Sequence, residues 1–164
     1  MTEPTTITVL PAAPLHAVEI WSNPQAVAAR AETALGFGLP PMGQSAGNAA
    51  LALMRFEPAV WLAEGDVAPL GDVLGKDGAL TAIGGGIVRF RLAGPGWREL
   101  LMEGGVFDAE AAHFGPGATA ATIIDHVNVR LHVESEAACV AYVPSSYAVS
   151  LQHFWEAALP LIGT

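Results

Sequence analysis

The stretch "ATAATIIDHVNVRLHVESEAACVAYV", Ala118–Val143, decides the fold. Within it His126, Asn128, Arg130, His132 and Glu134 alternate with Val127, Val129, Leu131 and Val133. A period of two marks a strand with one face on a core and the other polar. The whole stretch reads as three strands: Thr119–Ile124, Val127–Glu134 and Ala138–Val143. Strands this close in sequence pair antiparallel, because a parallel neighbour needs a crossover of about a dozen residues or more.

Upstream lies "AIGGGIVRFRLAGPGWREL", Ala82–Leu100, where Ile87–Ala93 is again two-faced. Val88, Phe90 and Leu92 share one face; Arg89 and Arg91 share the other. Gly84–Gly86 turns the chain into this strand, and Gly94 leads into a helix over Pro95–Glu103, closed by Gly104-Gly105. These glycines do not read as a phosphate loop. No Gly-Lys-Ser/Thr is present, the triple glycine precedes a strand, and Pro95 removes an amide donor.

Further upstream, His16–Trp21 reads as a strand. A helix follows, with Asn23 as N-cap, Pro24 at its first position and Gly36 as its stop. Leu39–Ala46 reads as a loop. Strands follow at Ala49–Phe56 and Ala59–Ala63 around a Glu57-Pro58 turn, then a short helix over Val67–Leu74 and a strand over Ala79–Ile83. Asp108–Phe114 suggests one more turn, capped by Asp108. The last helix runs from Ser145 or Ser146 to about Leu159, with Tyr147, Leu151, Phe154, Trp155, Ala158 and Ile162 on one side. The expected class is α+β, a mostly antiparallel sheet with helices packed on one face. Residues 1–13, rich in Thr and Pro, read as an extended or disordered arm, and residues 14–164 as a single domain.

Composition narrows the function. Net charge is −9, with 7 basic and 16 acidic residues, the reverse of a nucleic-acid binder. Charged residues make up only 14% and hydrophobic ones 52%. A typical soluble domain carries about 25% charged residues. The deficit has two readings: a core large for the chain's size, or surface that is buried against another chain, including a homo-oligomer when the chain is isolated. No basic leader or long apolar span is evident, so the expected compartment is the cytoplasm, with no membrane association.

The chemistry-bearing residues do not assemble into a catalytic motif. Cys139 is the only cysteine and sits in an apolar strand. His126 and His132 would lie about 20 Å apart on one extended strand, too far to share a metal. No Gly-x-Ser-x-Gly elbow is present. No catalytic residue and no metal ligand is expected.

The ordered segments resemble those of sarcosine oxidase gamma subunits. They are "GGIVRFRLAGPGWRELLMEGGVFD" (Gly85–Asp108), "FGPGATAATIIDHVNVRLH" (Phe114–His132) and "AYVPSSYAVSLQHFWEAA" (Ala141–Ala158). "FEPAVWLAEG" (Phe56–Gly65) is similar to that family's Gly-Pro-x-x-Trp-Leu segment, with Glu57 in place of glycine. "TAIGGG" stands where the family carries Asp-x-Ser. The resemblance implies an aminomethyltransferase folate-binding-domain-like fold. It also implies an accessory, non-catalytic chain in a heterotetramer that oxidises sarcosine to glycine, or in a related N-methyl amine oxidase. FAD, FMN, NAD and tetrahydrofolate would belong to the alpha and beta flavoprotein subunits, with no cofactor in this chain. Arg89 and Arg91 are the expected partner contacts. The alternative is a stand-alone folate- or pterin-binding one-carbon module, for which Asp108 and Asp125 are the candidate pterin ligands.

Overall fold

The computed structural model describes residues 3–162. The strands are β1 (Thr6–Val9), β2 (Leu15–Ile20), β3 (Ser45–Gly47), β4 (Leu51–Arg55), β5 (Val60–Gly65), β6 (Gly78–Ala82), β7 (Ile87–Ala93), β8 (Thr119–Ile124), β9 (Val127–Ser135) and β10 (Ala138–Pro144). The helices are α1 (Pro24–Leu35), α2 (Leu70–Leu74), α3 (Trp97–Met102) and α4 (Ala148–Ala158). All strand pairs are antiparallel. The class is α+β, as the alternating segments predict.

The strands form two five-stranded sheets rather than one. The chain also divides into two compact units where a single domain over 14–164 is expected: Ala13–Gly85, and Met1–Ala12 together with Gly86–Thr164. Periodicity identifies strands but not which distant strands pair. The decisive pairings, β2 with β6 and β1 with β7, are both long-range.

In the unit Ala13–Gly85 the strand order is β3-β4-β5-β2-β6. Val27, Ala31 and Leu35 of α1 are buried at i, i+4 and i+8. With Leu70, Val73 and Leu74 of α2 they pack on Val18, Ile20, Leu53, Trp61 and Ala63 of the sheet. Gly36 ends α1 at φ 76°, its amide donating to Glu32 O at 3.1 Å. At the other end Asn23 is not the expected cap. It sits at φ 47°, ψ 49° and makes no side-chain cap bond. An N-cap needs extended backbone to turn its side chain onto the first amides; Asn23 is left-handed and its side chain goes elsewhere. The Leu39–Ala46 segment also departs in part from a loop, since Ser45 and Ala46 belong to β3.

In the second unit the order is β1-β7-β10-β9-β8. The arm is extended, and its residues Thr6–Val9 are not disordered. They pair with β7 in the register Thr6↔Ala93 to Val9↔Phe90. Leu100, Leu101, Leu151 and Trp155 are completely buried against Leu92, Leu131, Val133, Cys139 and Val143. Phe90 meets Trp155 edge-on at 5.7 Å between ring centroids. The apolar side of α4 is therefore core, except Tyr147, which is 52% exposed.

Gly94 and Gly96 shape a seat for the arm. Gly94 lies at φ 105°, and a Cβ there would come within 2.7 Å of Pro4 O. A Cβ on Gly96 would meet Ile162 Cγ2 at 2.3 Å. The Gly96 amide donates to Thr5 Oγ1 at 2.9 Å. The Gly-Pro-Gly element thus receives chain from both ends of this unit. Gly84–Gly86 forms a short 3-10 turn ahead of β7.

Candidate functional site

The arginine-bearing face of β7 is the first candidate. Val88, Phe90 and Leu92 pack on the core cluster, and Arg89 and Arg91 take the opposite face. The sheet register extends that face. Arg91 stands opposite Val140, which stands opposite His132; Arg89 stands opposite Tyr142, which stands opposite Arg130. Four basic side chains therefore share one face around Val140 and Tyr142. The alternation in β9 shows that Arg130 and His132 share a face, but only the register brings them beside Arg89 and Arg91.

This face is engaged rather than bare. Arg89 Nη2 donates to Pro11 O at 2.6 Å, and the Leu10 amide donates to Arg89 O at 2.9 Å. Arg91 Nε donates to Glu134 Oε2 at 2.7 Å, with both side chains nearly half exposed. A pair in that setting stabilises by about 0–1 kcal/mol. Val140 and Tyr142 are 5% and 4% exposed. Arg98, on α3, instead reaches inward. Its guanidinium donates to the Ala109 and Phe114 carbonyls and lies 4.3 Å over the Trp97 ring.

The two proposed pterin ligands occupy turns. Asp108 is exposed, and its Oδ1 accepts from the Glu110 amide at 2.9 Å. Asp125 forms the β8–β9 turn with His126, at φ 45° and 67°. Two left-handed residues joining strands paired Ile124↔Val127 make a two-residue hairpin turn. The Asp125 amide donates to Gly104 O at 3.1 Å. Both aspartates thus have local conformational roles.

The most elaborate polar site was not legible in the sequence. Asp77 is 5% exposed and accepts three side-chain hydrogen bonds. Asn23 Nδ2 and Ser22 Oγ donate to Oδ1 at 2.9 and 2.8 Å, and Arg30 Nη2 donates to Oδ2 at 2.8 Å. Arg30 Nε donates to Val73 O at 2.8 Å, tying α1 to α2. The Asp77 carbonyl accepts from the amides of Trp21 and Ser22. The Arg30 guanidinium above all, then Asn23 and Ser22, holds the Asp77 carboxyl down at about 2. This network has the geometry of a structural lock, with every oxygen of the carboxylate engaged. Beside it an apolar cleft of ≈420 Å³ is lined by Ala29, Arg30, Thr33, Ala34, Asp72 and Val73.

Cys139 is fully buried, and burial pushes its thiol far up. A thiol held protonated is a poor nucleophile. Among the described residues no three His, Cys, Asp or Glu side chains are grouped as metal ligands. Nor is any described helix long and apolar enough to cross a membrane.

No protein-family model and no curated protein matches the sequence. Solved structures do match the fold. The crystal structure of glycine cleavage system aminomethyltransferase T from Bartonella henselae aligns over 94% of this chain at 19% identity, with a TM-score of 0.67. This chain spans 46% of that protein's length. A chain of the heterotetrameric sarcosine oxidase from Corynebacterium sp. U-96, in complex with pyrrole 2-carboxylate, aligns over 95% of this chain and 84% of its own, also at 19% identity, with a TM-score of 0.84. The chain thus has the aminomethyltransferase-like fold that its ordered segments predict, and shares it with a chain of a heterotetrameric sarcosine oxidase.

Proposed function

We propose that this chain is an accessory, gamma-like subunit of a cytoplasmic multi-subunit sarcosine oxidase or a related N-methyl amine oxidase. The observation that carries the reading is the likeness to a chain of a heterotetrameric sarcosine oxidase at TM-score 0.84, covering most of both chains. The charge-poor composition supports it, because 14% charged residues leave much surface suited to burial against another chain. In this role the chain completes the assembly, and substrate oxidation and the FAD, FMN, NAD and tetrahydrofolate sites belong to the alpha and beta flavoprotein subunits. Arg89 and Arg91 are contacts to those partners in this reading. Purifying the chain from its native host under mild conditions tests it. Co-elution with flavin-containing chains is the expected result, and a chain recovered alone counts against it.

The likeness to aminomethyltransferase T favours a second reading, a folate- or pterin-binding module. The turn roles of Asp108 and Asp125 weigh against it. Equilibrium dialysis with tetrahydrofolate separates the two, since the accessory reading expects no binding by the isolated chain at millimolar ligand.

A further inference from the structure

The cleft of ≈420 Å³ between α1 and α2 has walls that are mostly apolar. Ala29, Thr33 and Ala34 line it from α1, and Val73 lines it from α2. Ala29 and Thr33 are four residues apart, as are Arg30 and Ala34, so all share one side of the helix. Alanine at two exposed positions, Ala29 and Ala34, leaves the space open. The Thr33 hydroxyl donates to Ala29 O at 3.1 Å. It is thus spent on its own helix. Small-molecule sites are concave, of about 300–1,000 Å³, and mostly apolar with a few placed polar groups. This cleft has that size and those walls.

Two charged side chains of opposite sign complete the lining, Arg30 from α1 and Asp72 from α2. Arg30 is held in place from one edge. Its Nε donates to Val73 O and its Nη2 to Asp77 Oδ2, both at 2.8 Å, while the side chain stays 41% exposed. These bonds do not use Nη1, and they fix the plane of the guanidinium before any ligand arrives. The ion-pair partner of Arg30 is Asp77, and Asp72 stands exposed. Glu32 and Lys76, the nearest other charges along the two helices, are not among the walls. This pair of charges selects the ligand. Asp72 repels a simple carboxylate, and Arg30 repels a simple amine. A molecule that carries both groups satisfies both residues, with its apolar body over Ala29 and Ala34.

We propose that this cleft binds a free apolar α-amino acid, with its carboxylate on the Arg30 guanidinium and its ammonium beside Asp72. The site lies outside the accessory-subunit reading and does not depend on it. Calorimetric titration of the full chain with L-leucine and L-phenylalanine tests it. The controls are 4-methylpentanoate and isoamylamine, which keep leucine's apolar frame but one charge each. Saturable binding of at least one amino acid at millimolar ligand is expected, with each single-charge analogue weaker by about tenfold or more. Asp72→Asn should weaken binding about tenfold. Ala34→Leu fills the cleft from an exposed helical position where leucine is a good helix former, and should abolish binding. Melting curves establish that both variants fold. No saturable binding of either amino acid, equal binding of a single-charge analogue, or undiminished binding by either variant overturns the site.

Discussion

The Gly96 amide donates to Thr5 Oγ1 at 2.9 Å, joining residues 91 positions apart. Next to this bond Gly94, at φ 105°, lets Pro4 and Thr5 pass at a distance that a side chain would block. The arm is therefore built into its unit, and its removal should be costly. Gly94→Ala meets both a strained backbone and a rigid carbonyl and should destabilise by ~2 kcal/mol or more. Gly96→Ala meets the movable end of Ile162 and should cost less. Thr5→Val should cost about 1 kcal/mol for the lost bond. Urea unfolding of the three variants checks this order.

Asp77 should govern acid stability. Its folded pKa of about 2 lies below its ordinary value of 3.8, so the unfolded chain takes up a proton first as pH falls. The stability it contributes is complete above about pH 4 and is lost progressively as pH drops through 2. Asp77→Asn preserves the shape but removes the titration. The variant should be less stable at pH 7 and show a flatter dependence on pH between 4 and 2, measured by thermal melts across that range.

Cys139 should be silent toward a thiol reagent in the native protein. Its full burial and raised pKa leave almost no thiolate at pH 8. Labelling with a chromogenic disulfide reagent should occur only as fast as the protein opens, and should become immediate in denaturant. Prompt native labelling would mean that β10 is not the core strand described.

The β8–β9 turn should be improvable. Asp125 and His126 are both left-handed, a conformation that Asn-Gly adopts with less strain. Asp125→Asn/His126→Gly should raise stability by ~1 kcal/mol, read as a higher urea midpoint. Under the accessory-subunit proposal the same variant should bind its partners normally, since that reading gives Asp125 the turn alone.

Legibility differed between levels. Strands β7 and β9 are readable because their alternation is local: Val127, Val129, Leu131 and Val133 all turn to the core as a period of two requires; β10 is buried along nearly its whole length and reads instead as a short apolar run. Grouping into two sheets was not readable, since β6 pairs with β2 across nearly the whole intervening unit. Ser-Asn-Pro before a helix is a common cap pattern and points to Asn23 as the cap, while the competing acceptor, Asp77, lies 54 residues away. Trp21 looked like the last strand residue, yet β2 ends at Ile20 and the indole is left outside. The basic face was half visible: Arg89 and Arg91 by alternation, Arg130 and His132 only by register.

The most direct test of the accessory-subunit account is the visible absorption spectrum of the tagged chain purified gently from its native host. The account predicts visible flavin absorption bands co-eluting with this chain, and an assembly of several polypeptides whose N-methyl amine oxidation survives purification. A colourless, lone chain, with the oxidase activity intact in the fraction left behind, would contradict it.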